Sequence, residues 1–132
     1  MSGETDLEKL LALLQPRLLA GYYVFVTIKN EQSSELQSLE PLATYREDEG
    51  LSALIEQQQA DQMSLEYHGV FRGITLSVHS SLESVGLTAA VAGKLATHGI
   101  SANVIAAHYH DHVFVPAQRA EQAMQLLTEL EN

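Results

Sequence analysis

The stretch "IAAHYHDHVFVP", residues 105–116, holds three histidines and an aspartate within five positions. His108, His110 and His112 are half of the six histidines in the chain. On a strand, residues at i, i+2 and i+4 point to one face. Neutral imidazoles so placed could bind zinc or nickel, with Asp111 as a further donor. A divalent ion usually draws ligands from elsewhere too, and no histidine follows His112. The hydrolase spacing of two separated histidines and then Asp-His does not match "HYHDH". Aspartate is a turn residue, because its side chain bonds nearby backbone. The flanking apolar runs are close enough for a hairpin turning at His110–Asp111, which would point the imidazoles apart. Turn chemistry therefore favours a polar hairpin tip, available to line a subunit interface, over a metal site of His110, Asp111 and His112.

A second stretch, "HSSLESVGL" at 79–87, joins a strand to a helix. Ser80, Ser81 or Ser84 can cap that helix. A helix N-terminus favours anions through its N–H groups and its dipole, so an amino-acid carboxylate would suit it. Glu83 could then meet an α-ammonium, and Gly86 would allow close approach. Asn103, near the start of the next strand, could complete the pocket. The plain alternative is an ordinary serine cap with a nearby Glu, and an Asn serving a turn. His79 reads as a hydrogen-bonded strand end. "YREDEG" (45–50) reads as a solvated turn before it reads as a cation site.

No nucleophile–base pair stands out. GxSxG, HExxH and a phosphate-binding glycine loop are all missing, so an enzyme is not expected, nor a cofactor. Cysteine is absent, which excludes disulfides, thiolate metal sites and a cysteine nucleophile. The net charge is −10 with seven Lys and Arg, which argues against nucleic acid and anionic membranes. There is no apolar span of membrane length and no leader-like N-terminus, so a cytoplasmic protein is expected.

The elements that must position these groups follow from periodicity. Leu7, Leu10, Leu11, Leu14 and Leu18 predict one amphipathic helix, capped by Thr5 with Glu8 and closed by Pro16 and Gly21. "YYVFVTIK" (22–29) predicts a central strand, apolar on both faces, and 30–40 a polar loop. "LATYRED" and "LSALI" predict two strands around "EDEG", and "EQQQADQM" a weak helix. A strand over 69–80 precedes a helix over 84–100, in which Leu87, Val91 and Leu95 share a side and Gly99-Ile100 makes a Schellman stop. Strands at 101–109 and 112–115 form the hairpin. Pro116 opens a last helix faced by Ala120, Ala123, Met124 and Leu127.

The second half thus reads β-α-β-β-α, the ferredoxin-like order without its last strand. That edge must be filled by a strand from the first half or from a partner chain. No linker separates the halves, so one fused sheet system is expected.

"PLATYREDEGLSALI" and the span from "EYHGVFRGITLSVHS" through "HDHVFVP" resemble a family of small stand-alone bacterial proteins with tandem ACT-like domains. The similarity covers nearly the whole chain. It implies an α+β fold of two intertwined ACT-like, ferredoxin-like units with antiparallel sheets and helices on one face, divided into residues 1–68 and 69–132. It implies a non-catalytic regulatory role in a homodimer, binding a small ligand, foremost an amino acid. The strand-to-helix loop is the usual contact in that family, which nominates Ser80, Ser81, Glu83, Val85, Gly86 and Leu87, with Asn103. The alternatives are a metal-binding or hydrolytic protein using the His108–His112 cluster, and a structural dimerisation module.

Overall fold

The computed structural model describes residues 6–29, 34, 36–79 and 81–131. They form two compact units. One is Gly21–Phe71, and the other joins the chain up to Ala20 with the chain from Arg72 onward.

The Gly21–Phe71 unit begins with β2 (Tyr23–Ile28), followed by α2 (Leu36–Leu39), β3 (Ala43–Glu47), β4 (Gly50–Glu56) and α3 (Gln57–Gln62). β4 lies between β3 and β2, antiparallel to both. Phe71, at the head of β5 (Phe71–Leu76), pairs with Tyr23 and supplies the fourth position. The order is β-α-β-β-α-β, ferredoxin-like. β2 is buried on one face only, although both faces carry apolar residues. Val24, Val26 and Ile28 are buried, while Phe25 and Thr27 are exposed. This period-two alternation buries one face only, against Leu39 of α2 and Ala60 of α3. The expected loop at 30–40 contains a helical turn, Leu36–Leu39.

The other unit contains α1 (Leu7–Ala12), β1 (Pro16–Leu18), the rest of β5, α4 (Leu87–Thr97), β6 (Asn103–Ala106), β7 (Asp111–Pro116), a 3-10 turn (Ala117–Arg119) and α5 (Ala120–Glu129). The predicted first helix stops early. Asp6 is its N-cap, accepting from the Lys9 N–H at 3.3 Å, and Thr5 lies outside the described residues. Proline disfavours helix at the residue before it, and Gln15 sits at φ 44°. The chain then runs as β1 antiparallel to β5, with Pro16 opposite Leu76 and Leu18 opposite Ile74. The strand order is β1-β5-β7-β6. β1 therefore occupies the place of the missing last strand, and the first half fills the edge.

The core of this unit joins Leu10 and Leu14 to Ile74, Leu76, Val91, Leu95, Val113, Val115, Ala123 and Leu127. Leu87, Val91 and Leu95 all face inward, as their spacing predicts. Truncating the fully buried Leu95 to Ala would cost about 2–5 kcal/mol. The Schellman stop forms: Gly99 N–H donates to Ala96 O at 2.9 Å and Ile100 N–H to Leu95 O at 3.0 Å. β5 is shorter than the predicted 69–80 strand, and both Gly73 and Thr75 in it are buried. Met124 is only partly buried, and Leu126 joins the face of α5 instead. The molecule is an α+β protein with antiparallel strand pairs and helices.

Candidate functional site

The loop from β5 into α4, through His79, meets the tip of the β6–β7 hairpin by ring contacts. His79 lies 5.4 Å from the Tyr109 ring and 6.5 Å from the His110 ring, centroid to centroid. His110 Nδ1 is 3.3 Å from Val78 O. A carbonyl only accepts, so this nitrogen carries the proton, and the tip is tied to the chain just after β5.

The predicted serine caps are not used. α4 opens at Gly86, φ 101°, with no side-chain cap bond. Ser81 instead stabilises the turn ahead of it: its Oγ accepts from Glu83 N–H at 3.1 Å, and its O from Ser84 N–H at 3.0 Å. Ser80 lies outside the described residues. Glu83 and Val85 are exposed, while Leu87 is buried in the core. Gly86 O accepts from Ala90 N–H at 2.9 Å and starts the helical ladder. The loop thus carries an exposed carboxylate, an exposed apolar side chain and a helix start without a side-chain cap bond. Asn103 takes another role: its Nδ2 donates to Phe114 O at 3.3 Å, within the hairpin.

The hairpin turn falls on Ala107–His110, closed by Ala107 N–H to His110 O at 3.0 Å, not on His110–Asp111. Asp111 is the first residue of β7, opposite Ala106, and is buried. Turn propensity lost here to strand pairing and burial. Burial pushes the Asp111 carboxyl above its ordinary range, opposed by His112 and His110. Burial also pushes His112 down, with His110 and Arg17 adding to the effect and Asp111 opposing it. His112 Nδ1 sits 3.0 Å from Thr75 Oγ1 on the neighbouring strand. His108 packs edge-on against Tyr109 at 5.0 Å. Each histidine has its own surroundings, and among the described residues no three His, Asp or Glu side chains form a group able to hold a metal ion. Thr75 and Tyr109 were not singled out from the sequence; the fold brings Thr75 to His112 and Tyr109 to His79.

Two ferredoxin-like units within one short chain define the class. ACT-domain models match residues 2–72 and 71–129. The chain belongs to the ACT-domain family and carries two such domains in tandem. It is similar to a Vibrio cholerae protein of unknown function, described as a possible transport protein, at 55% identity over 96% of each chain, with a TM-score of 0.86. An Agrobacterium tumefaciens protein shares the fold at 18% identity and a TM-score of 0.68, over 88% of this chain and 87% of that one. So does the regulatory subunit of aspartate kinase from Thermus thermophilus, at 10% identity and a TM-score of 0.62, over 90% of this chain and 98% of that one. No curated protein matches. ACT domains are regulatory, non-catalytic modules that bind small ligands. Among the described residues no helix is long and apolar enough to cross a membrane.

Proposed function

We propose that this protein is a non-catalytic regulatory protein that binds an amino acid at the loop Ser81–Leu87, within an ACT-like unit spanning residues 69–132. The observation that carries this reading is the start of α4, where Gly86 opens the helix without a side-chain cap. Backbone N–H groups and the helix dipole there favour a carboxylate. Glu83, exposed three residues earlier, supplies a partner for an α-ammonium. Membership of the ACT family supports a small ligand, and its amino-acid identity is our reading. Binding acts by differential affinity between arrangements of the protein.

The protein is proposed to work in the cytoplasm as a homodimer. The end strands β3 and β6 and the exposed Tyr45 and Tyr109 offer edges for pairing. Sedimentation equilibrium would give twice the chain mass, and a monomer at all concentrations would remove the dimer.

Calorimetric titration with each of the twenty amino acids tests the ligand. Glu83→Gln should weaken an α-amino ligand roughly tenfold by removing one charge-assisted contact. It should spare the same ligand lacking its ammonium. Equal weakening of both would take Glu83 out of the site.

A further inference from the structure

In the unit that carries β1, β5, β7 and β6, each strand turns alternate residues to opposite faces of the sheet. Ile74, Leu76, Val113 and Val115 enter the core with α4 and α5. Thr75 of β5 and His112 of β7 therefore belong to the other face. Register adds Arg17 of β1, directly opposite Thr75, and Ile105 and Asn103 of β6, opposite His112 and Phe114. None of these positions is Asp or Glu, although the chain has 17 acidic residues against seven Lys and Arg.

Thr75 sits between the two basic side chains of this face. Its Oγ1 lies 3.0 Å from His112 Nδ1, and Arg17 flanks it on the other neighbouring strand. Neighbouring strands are about 4.8 Å apart, so Arg17 and His112 share one patch around a buried threonine. Arg17 is exposed, and its guanidinium meets no carboxylate among the described residues. Burial holds His112 below its ordinary value, and His110 and Arg17 add to the effect. Asp111 opposes it, but its carboxyl is buried and shares the core-facing side of β7 with Val113.

Two basic groups side by side on a face without carboxylates make a place for an anion. The Arg17 guanidinium offers a planar pair of N–H donors that matches an oxyanion. In a protonated imidazole both ring nitrogens donate. Thr75 Oγ1 then accepts from His112 Nδ1, which leaves the Nε2 N–H for the anion. Arg17 alone balances a single negative charge. A dianion also stabilises the proton that His112 otherwise resists. We propose that Arg17 and His112, spaced by Thr75, form a binding site for a phosphate-type dianion on the sheet face away from α4 and α5. It is separate from the loop Ser81–Leu87 and does not depend on an amino-acid ligand there.

The test is NMR of the full chain near neutral pH, titrated with inorganic phosphate while sodium chloride holds the ionic strength constant. The Arg17 and Thr75 amides should move in a saturable way, and the His112 ring signals should move toward their protonated positions. Sulfate, whose two charges do not titrate near neutrality, should do the same. It should bind more tightly as the pH is lowered toward 6, because the bound dianion favours the imidazolium. Arg17→Gln changes an exposed position, so the fold should persist while the phosphate affinity falls about tenfold or more. Glycerol 3-phosphate in place of phosphate separates a phosphomonoester from the free ion by which of the two binds more tightly. Equal shifts with sodium chloride alone would overturn the proposal. So would a folded Arg17→Gln variant that binds phosphate with unchanged affinity, and either result leaves the loop Ser81–Leu87 standing.

Discussion

Gly86 holds φ at +101°, and a Cβ built on it would lie 3.1 Å from Leu7 Cδ2. The residue that opens α4 is thus fixed twice, by a left-handed backbone and by the α1 side chain beside it. Gly86→Ala should destabilise the protein by about 1–3 kcal/mol in urea unfolding. Gly99 is the comparison: φ is +74° with nothing within 4 Å of a built Cβ. Gly99→Ala carries only the backbone term, about 1–2 kcal/mol, so it should be the milder variant. Shortening Leu7 to Ala in the Gly86→Ala background should not restore stability, since the dihedral strain remains.

Gly73 makes a second close approach. A Cβ there would meet Phe114 Cε2 at 2.7 Å and Leu19 Cδ1 at 3.1 Å. Phe114 is almost fully buried, so it has no open side to move into. Gly73→Ala should overpack this point and cost about 1–3 kcal/mol. Phe114→Leu makes room, so the double variant should be less destabilised than the sum of the two singles. Strict additivity would place the strain elsewhere.

The β7 pair Asp111 and His112 predicts a pH dependence. His112 is held below its ordinary value of 6.5. Its stability is complete above 6.5 and is lost as the pH falls from there through the folded value, because the unfolded chain takes up a proton that the folded one resists. Asp111 is raised above its ordinary 3.8. Its contribution is greatest below 3.8 and is lost as the pH rises through the folded value. In urea midpoints measured against pH, His112→Gln should flatten the fall below 6.5. Asp111→Asn should stabilise the protein at neutral pH and gain nothing in acid. An unchanged profile in both variants would contradict these assignments.

Periodicity read the β-α-β-β-α order of the second half because each element there carries its own pattern, as Leu87, Val91 and Leu95 do for α4. β1 was hidden by the same kind of argument. Leu7 to Leu18 keep helical spacing, yet Pro16–Leu18 gain their ladder from Ile74–Leu76, some sixty residues away. Nothing local records such pairing. Asp111 read as a turn residue because its buried place opposite Ala106 is a matter of register. The serines at 81 and 84 read as caps, whereas the left-handed Gly86 takes that position.

The central claim, that this ACT-family chain is a small-ligand binder recognising an amino acid, is met most directly by thermal unfolding of the full chain with each of the twenty amino acids in excess. Binding to the folded state alone stabilises it by about 2.7 kcal/mol at a hundredfold excess over the dissociation constant. At least one amino acid should raise the midpoint, in step with its concentration, and Glu83→Gln should reduce that rise. Twenty unchanged midpoints at millimolar concentration would contradict the claim and leave a structural dimerisation module in its place.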